Sequence, residues 1–344
     1  MFRLTILFSL IGFVTYAQPT NVLFIGNSFT HMNSLCKIYQ NLSISKGKRV
    51  FADTLAVSGS SIKEHTERNN TYVKLKEKKW DYVIIQGFSR ELSYDSLTIA
   101  TETIPYAKQL IDSIKKYNSC AKIYYYMTWG YFNGCKSTIP DDTYESMQLR
   151  IQKGYLQMSQ ATGGYPIVPV GMVWKEVREK YPEINLYAED SIHPSLYGSL
   201  IAASTFYSAI YKESPINGVL PKRVEQNDGR HIQNTAAKYV LTYYPKYNLD
   251  TIQIPKRPNP PKLNFEVKAK WLSITISNKT TSNGLKYFWD FGDGKTSTKK
   301  NPKHYYGSPG KYNVTLYINS FCNWYELKKV VEVVNQVKKH TKPN

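Results

Sequence analysis

The sequence predicts an α/β domain, a parallel sheet covered by helices on both faces, followed by a small all-β sandwich. Between residues 22 and 212, short apolar runs rich in β-branched and aromatic residues alternate strictly with longer segments of helical periodicity. Such alternation argues for parallel strands joined by crossover helices. Beyond residue 264 the helical period disappears, and strand-like runs follow one another between Gly, Pro and Asn turns.

The predicted strands of the first domain span residues 22–26, 50–57, 81–86, 122–129 and 166–170. Helices are expected at 33–46, 71–79, 95–117, 142–161, 172–180 and 195–212, with a closing helix at 227–244. The stretch TIQIPKRPNPPKL suits a stiff, extended linker at 251–263. The sandwich then occupies 264–336, with strands expected at 265–277, 286–291, 312–318 and 327–334, and a basic tail covers 337–344. At the other end, Arg3 precedes an apolar run over residues 4–14, and Thr15 and Ala17 offer a small-residue cleavage site. Residues 1–17 therefore read as a signal peptide, with cleavage near Ala17 and a mature first domain at 18–250. No later segment is long and apolar enough to span a bilayer. The expected destination is secreted, periplasmic or cell-surface.

Length agrees with two domains, because single cores usually stop growing at roughly 250–300 residues. The 344-residue chain carries a formal charge of +19, concentrated toward its end: from residue 251 there are 17 Lys/Arg against 5 Asp/Glu. No nucleic-acid motif accompanies this charge, so a solvated basic face is favoured over a nucleic-acid partner. The four cysteines, Cys36, Cys120, Cys135 and Cys322, lack CxxC spacing, which argues against a metal site. Export permits disulfides in any of three full connectivities; Cys36 with Cys135 is favoured, as both are expected near one end of the sheet.

Two segments carry candidate chemistry. Gly26-Asn27-Ser28-Phe29-Thr30 follows directly on the apolar run VLFI, placing a serine just past the carboxyl end of the first strand, where ligands of parallel sheets bind. Alone, it serves equally well as a helix N-cap or as a nucleophile. Asp190-Ser191-Ile192-His193-Pro194 precedes the helix at 195–212, with Pro194 suited to that helix's first turn. An Asp three residues before a His can hold Nδ1–H, leaving Nε2 to take the serine proton. Each fragment has a bland explanation, and together they favour a Ser28–His193–Asp190 triad.

The GNSFT and DSIHP segments resemble the first and last conserved blocks of SGNH (GDSL-like) hydrolases, the former usually Gly-Asp-Ser. The resemblance covers residues 20 to about 212. It implies a flavodoxin-like three-layer α/β/α domain and an esterase working through an acyl-serine, without metal or organic cofactor. It also implies an oxyanion hole from the backbone N–H groups of Ser28 and Gly59 and an asparagine side chain. That asparagine is missing. The third block reads DYVIIQGFS, and Gln86 is expected to supply the amide instead. Asn27 in place of the usual aspartate is a second departure.

The loop MTWGYFNGC lies where substrate should approach. Trp129 and Tyr131 are substrate-binding candidates together with Asn27, although buried packing is the favoured fate of Trp129. The remaining histidines show no ligand spacing, and solvent-facing roles are expected for His31 and His65. In the second domain, WDFGDG followed by NPKHYYGSPGKYNVTLYI resembles the PKD (polycystic kidney disease) type of immunoglobulin-like domain. Trp289 and Phe291 are expected in its core and Tyr312, Val314 and Leu316 on one strand face, while turn bonds explain Asp290 and Asp293 more simply than calcium. The combined expectation is a secreted esterase removing acyl, notably acetyl, groups from a polysaccharide. A lipase or thioesterase of the same fold and a noncatalytic polysaccharide-binding protein are the rivals; oligomeric state is open.

Overall fold

The computed structural model describes residues 19–250, 261–281, 285–320 and 322–336. They form two compact units, divided close to residue 253. The signal-peptide reading, most of the linker and the basic tail lie outside the described residues.

The first unit is built on five parallel strands: β1 (Thr20–Gly26), β2 (Val50–Ala56), β3 (Tyr82–Ile85), β4 (Lys122–Tyr126) and β5 (Ile167–Val168). Their spatial order is β2-β1-β3-β4-β5, the flavodoxin-like order. The central residues of β1, Val22 to Ile25, are buried on both faces, which explains why this strand reads as an unbroken apolar run. The order reverses at β1, which pairs with β2 on one side and β3 on the other. A crevice therefore opens past the carboxyl end of β1.

The helices are α1 (Ser28–His31), α2 (Leu35–Ser45), α3 (Ile62–Glu67), α4 (Asn69–Glu77), α5 (Ser96–Thr98), α6 (Ile104–Tyr117), α7 (Tyr144–Thr162), α8 (Val170–Lys180), α9 (Leu196–Tyr211) and α10 (Gln226–Tyr243). Contacts group α2, α8, α9 and α10 in one layer and α3, α4, α6 and α7 in the other. The apolar α9 buries nearly every side chain, since it lies between the sheet and its helical neighbours. Among the described residues no helix is long and apolar enough to cross a membrane.

Several boundaries differ from the sequence expectation for local reasons. The fourth strand ends at Tyr126 rather than 129, because the chain turns there to bury Trp129 beneath the site. Only Ile167–Val168 pair in the fifth, and Pro169 caps α8. The helix expected from residue 33 starts at Leu35 because Asn33 and Ser34 adopt left-handed backbone, φ 53° and 55°. The short α3 lies outside every predicted helix, although Ser61 and Glu64 make a capping box across its first turn. Between α5 and α6 the helix widens into a π turn at Ile99–Thr103.

The second unit stacks a three-stranded and a four-stranded antiparallel sheet, ordered β10-β7-β6 and β12-β11-β8-β9. Its strands are β6 (Phe265–Lys270), β7 (Ser273–Asn278), β8 (Lys286–Asp290), β9 (Thr296–Ser297), β10 (Lys303–Tyr305), β11 (Gly310–Ser320) and β12 (Asn323–Val333). Residues 265–277 are a hairpin and not one strand: Lys270 pairs with Ser273, and Trp271 takes φ 52° at the turn. Trp289, Phe291, Val314 and Leu316 are buried in the core, while Tyr312 is half-buried against Tyr306. Asp290 and Asp293 accept the N–H groups of Gly292 and Lys295, and Asp293 also accepts from His304 at 2.8 Å.

Candidate active site

The crevice beyond β1 is organised by a glycine. A Cβ on Gly26 would collide with Thr30 Oγ1 and Gln86 Oε1, so only glycine lets the Gln86 side chain cross beneath the turn. The Gly26 carbonyl accepts from Val57 N at 3.1 Å and His65 Nε2 at 2.9 Å. Asn27 then caps α1, its Oδ1 accepting the Phe29 N–H at 3.0 Å. Ser28 emerges half-exposed at the first position of that helix.

The second segment closes on it. Asp190 Oδ1 accepts the backbone N–H groups of Ile192 (3.0 Å) and His193 (2.9 Å), and Oδ2 bonds His193 Nδ1. His193 Nε2 lies 2.8 Å from Ser28 Oγ. An ionised carboxylate only accepts, so Nδ1 carries the proton and Nε2 presents its lone pair to the serine hydroxyl. Burial pushes the Asp190 carboxyl up, but the bonds from His193 and the Ile192 N–H outweigh it, leaving the carboxyl below its ordinary value. The structure thus brings Ser28, His193 and Asp190 into one bonded series. Pro194 precedes the Ser195 cap of α9 rather than entering its first turn.

The remaining predicted residues separate. Gly59 is exposed with φ +74°, three positions beyond Ala56, the β2 residue paired with Gly26. The N–H groups of Ser28 and Gly59 have no acceptor among the described residues. Gln86 differs from the expectation of a free amide donor. It is fully buried, its Oε1 accepts from Asn27 N (3.0 Å) and Thr30 Oγ1 (2.6 Å), and both Nε2 hydrogens are taken by Asn27 Oδ1 (2.8 Å) and the Gly87 carbonyl.

Trp129 is no substrate platform. Its two faces are occupied by Phe29 (centroids 4.5 Å apart) and Trp174 (4.1 Å), and nothing of it is exposed. Tyr131 is half-buried, and its hydroxyl meets Ser89 Oγ at 2.8 Å; burial raises its phenol despite that bond. His31 is exposed, as expected, with Nε2 2.9 Å from Ser58 Oγ, whereas His65 is buried against expectation. Burial and the nearby Arg68 lower its pKa, against the pull of the Gly26 carbonyl. Cys36 and Cys135 are free thiols. Cys36 is buried on α2, which packs against α9 and β2, whereas the Cys135 thiol is turned toward Arg90, Ser137 and Thr138.

Sequence reasoning missed Asn33, whose Nδ2 bonds Pro194 O, Ser195 O and Ser199 Oγ, tying the serine segment to the histidine segment. Its left-handed φ is a conformation that favours Asn, but the sequence alone does not reveal it.

Fold and site together define a chain with a flavodoxin-like α/β unit bearing a Ser–His–Asp series at its strand ends, joined to an antiparallel sandwich. Residues 263–333 match the PKD domain family, so the second unit carries a PKD domain. Part of this chain is also 54% identical to a microbial collagenase of Vibrio alginolyticus over 48 residues, 13% of this chain and 6% of the collagenase. The match thus spans a small fraction of that protein's length. For the α/β unit, a DUF4886 family protein from Bacteroides uniformis has the same fold: TM-score 0.57 and 18% identity, covering 69% of this chain and 98% of that one. A putative GDSL-like lipase from Parabacteroides merdae aligns at 15% identity over 57% of this chain and 97% of its own, with TM-score 0.43.

Proposed function

We propose that this protein is an exported serine esterase that removes acyl groups, acetyl foremost, from a polysaccharide. The observation that carries the reading is the 2.8 Å contact between Ser28 Oγ and a His193 ring whose opposite nitrogen is held by Asp190. In the first step Ser28 Oγ gives its proton to Nε2 and bonds the ester carbon, and the carbonyl π pair moves onto oxygen. Collapse of this intermediate reforms the carbonyl, expels the sugar oxygen and passes the Nε2 proton to it. Water then repeats the sequence on the acyl-serine, releasing the acid and restoring Ser28. Asp190 stays ionised throughout and stabilises the imidazolium.

The glycan reading is supported by the rim beside the site, where the half-buried Tyr131 and the 44% exposed Phe132 offer aromatic edges next to hydroxyls. The test treats the full mature chain with a fluorophosphonate and maps the adduct, alongside hydrolysis of p-nitrophenyl acetate, acetylated glycans and long-chain acyl esters. The expected result is labelling at Ser28 alone, activity abolished by Ser28→Ala, and acetylated glycan preferred. Preference for long acyl chains would favour a lipase, and glycan binding without labelling a noncatalytic binder. An amino terminus near Gln18 in protein recovered from outside the cytoplasm would support export.

A further inference from the structure

We infer that the Asn27 side-chain amide is the third donor to the oxyanion, and that Gln86, in the position where the resembling family carries its donor, is the clamp that aims it. This rests on the esterase reading above. The amide orientations follow from bonding logic. A backbone N–H can only donate, so the Gln86 atom facing Asn27 N must be Oε1, and the Asn27 atom facing Phe29 N must be Oδ1. Gln86 Nε2 therefore spends both hydrogens on Asn27 Oδ1 and the Gly87 carbonyl, and no donor remains for substrate.

Asn27 is the reverse case. Its Oδ1 is fixed by two donors, which sets the plane of the amide and turns Nδ2 away from Gln86. That nitrogen has no acceptor among the described residues, and it stays accessible although the residue as a whole is 1% exposed. A donor held rigidly on the residue before the nucleophile, with two free hydrogens, is already oriented before charge develops. Such preorganisation is what an oxyanion site requires. Together with the N–H groups of Ser28 and Gly59, which have no acceptor among the described residues, it completes a set of three donors.

Asn27→Asp isolates the claim: it keeps an oxygen for Phe29 N–H and Gln86 Nε2 and is a good helix cap, but it replaces the outward donor with an acceptor. Turnover of p-nitrophenyl acetate should fall about 100- to 1,000-fold with KM changed only a few-fold and the thermal midpoint nearly kept, and the rate of fluorophosphonate labelling should fall in parallel. The double variant Asn27→Asp/Gln86→Asn, which moves the amide donor to the third block, should recover at least about tenfold of that loss. Should Asn27→Asp fail to fold by circular dichroism, Asn27→Ala carries the same comparison. An active wild type whose folded Asn27→Asp variant keeps kcat within about threefold overturns the assignment. A wild type that neither hydrolyses ester nor labels at Ser28 instead overturns the esterase reading itself.

Discussion

The indole N–H of Trp129 donates to the carbonyl of Ile192 at 3.1 Å, one residue before the imidazole that faces Ser28. The same indole is stacked between Trp174 and Phe29, and the Phe29 ring meets the His193 ring edge-on at 5.4 Å. Trp129, for which buried packing was the favoured reading, is the wall on which the histidine rests.

Trp129→Phe should therefore separate packing from placement. An aromatic plate survives, so the loss of the donor to Ile192 costs only about 1 kcal/mol in stability. Under the proposed function, kcat for p-nitrophenyl acetate should fall more than KM rises, because the backbone carrying His193 loosens while Ser28 keeps its place after β1, at the start of α1. Trp129→Ala, which empties the stack, should cost about 3–5 kcal/mol. Urea unfolding and steady-state kinetics of both variants check this, and a Phe variant with wild-type kcat would show that the indole bond does not hold the histidine.

Gly26→Ala probes the other side of the site. The added methyl meets Thr30 Oγ1 and Gln86 Oε1, two atoms already locked to each other at 2.6 Å. Overpacking of this kind costs typically about 1–3 kcal/mol, and relief requires Gln86 to move away from Asn27. Loss of stability and of activity should thus occur together. Equilibrium unfolding combined with ester hydrolysis tests it; unchanged stability and hydrolysis would mean that the turn tolerates displacement of Gln86.

These residues also show what the sequence could and could not disclose. The VLFI run, GNSFT and DSIHP are legible because their chemistry is local: a buried strand is apolar throughout, and Asp190 reaches the histidine and its backbone N–H within three positions. The direction of the Gln86 amide is not legible in the sequence, since it is set by Asn27 and Thr30, more than fifty positions away. The burial of His65 and the stack around Trp129 depend on packing between elements distant in the chain, for which no local signal exists. The hairpin at Trp271 was hidden for a different reason. Alternation continues with the same period through both arms, and neither Trp271 nor Leu272 is a residue that marks a turn.

His65 gives a pH prediction. Nε2–H donates to the Gly26 carbonyl, which leaves Nδ1 buried without a partner among the described residues. Burial lowers the folded pKa below the ordinary 6.5, so on acidification the unfolded chain takes its proton first. Stability should consequently fall as pH drops below about 6.5 and level off at the lower folded value. His65→Gln offers an amide N–H to the same carbonyl and does not titrate, so its stability should change less between about pH 7.5 and pH 5.5. Urea midpoints at the two pH values decide the matter; equal slopes for both proteins would place the acid sensitivity elsewhere.

Asp142 acts at a lower pH and with a different partner. Its side chain is fully buried; Oδ2 accepts from Arg150 Nη2 and from the Cys135 N–H, each at 2.7 Å, and Oδ1 bonds the Ser146 hydroxyl. Burial raises the carboxyl, but these donors prevail and hold it at about 2, against an ordinary 3.8. A depressed carboxylate stabilises the fold above its unfolded value, and that contribution is lost as pH falls from 3.8 through about 2. The shift corresponds to about 2 kcal/mol. Asp142→Asn keeps an acceptor for Cys135 N–H but removes the charge facing Arg150, so it should lose roughly that amount at neutral pH and differ little from wild type near about pH 2. The loop that Asp142 anchors runs back through Cys135 to Tyr131, whose hydroxyl meets Ser89. Loosening it should therefore raise KM for a glycan ester more than for p-nitrophenyl acetate, which is too small to touch the rim. Matched unfolding curves at neutral and acid pH with paired kinetics on the two substrates test both halves; a KM that rises equally for both would confine the role of Asp142 to stability.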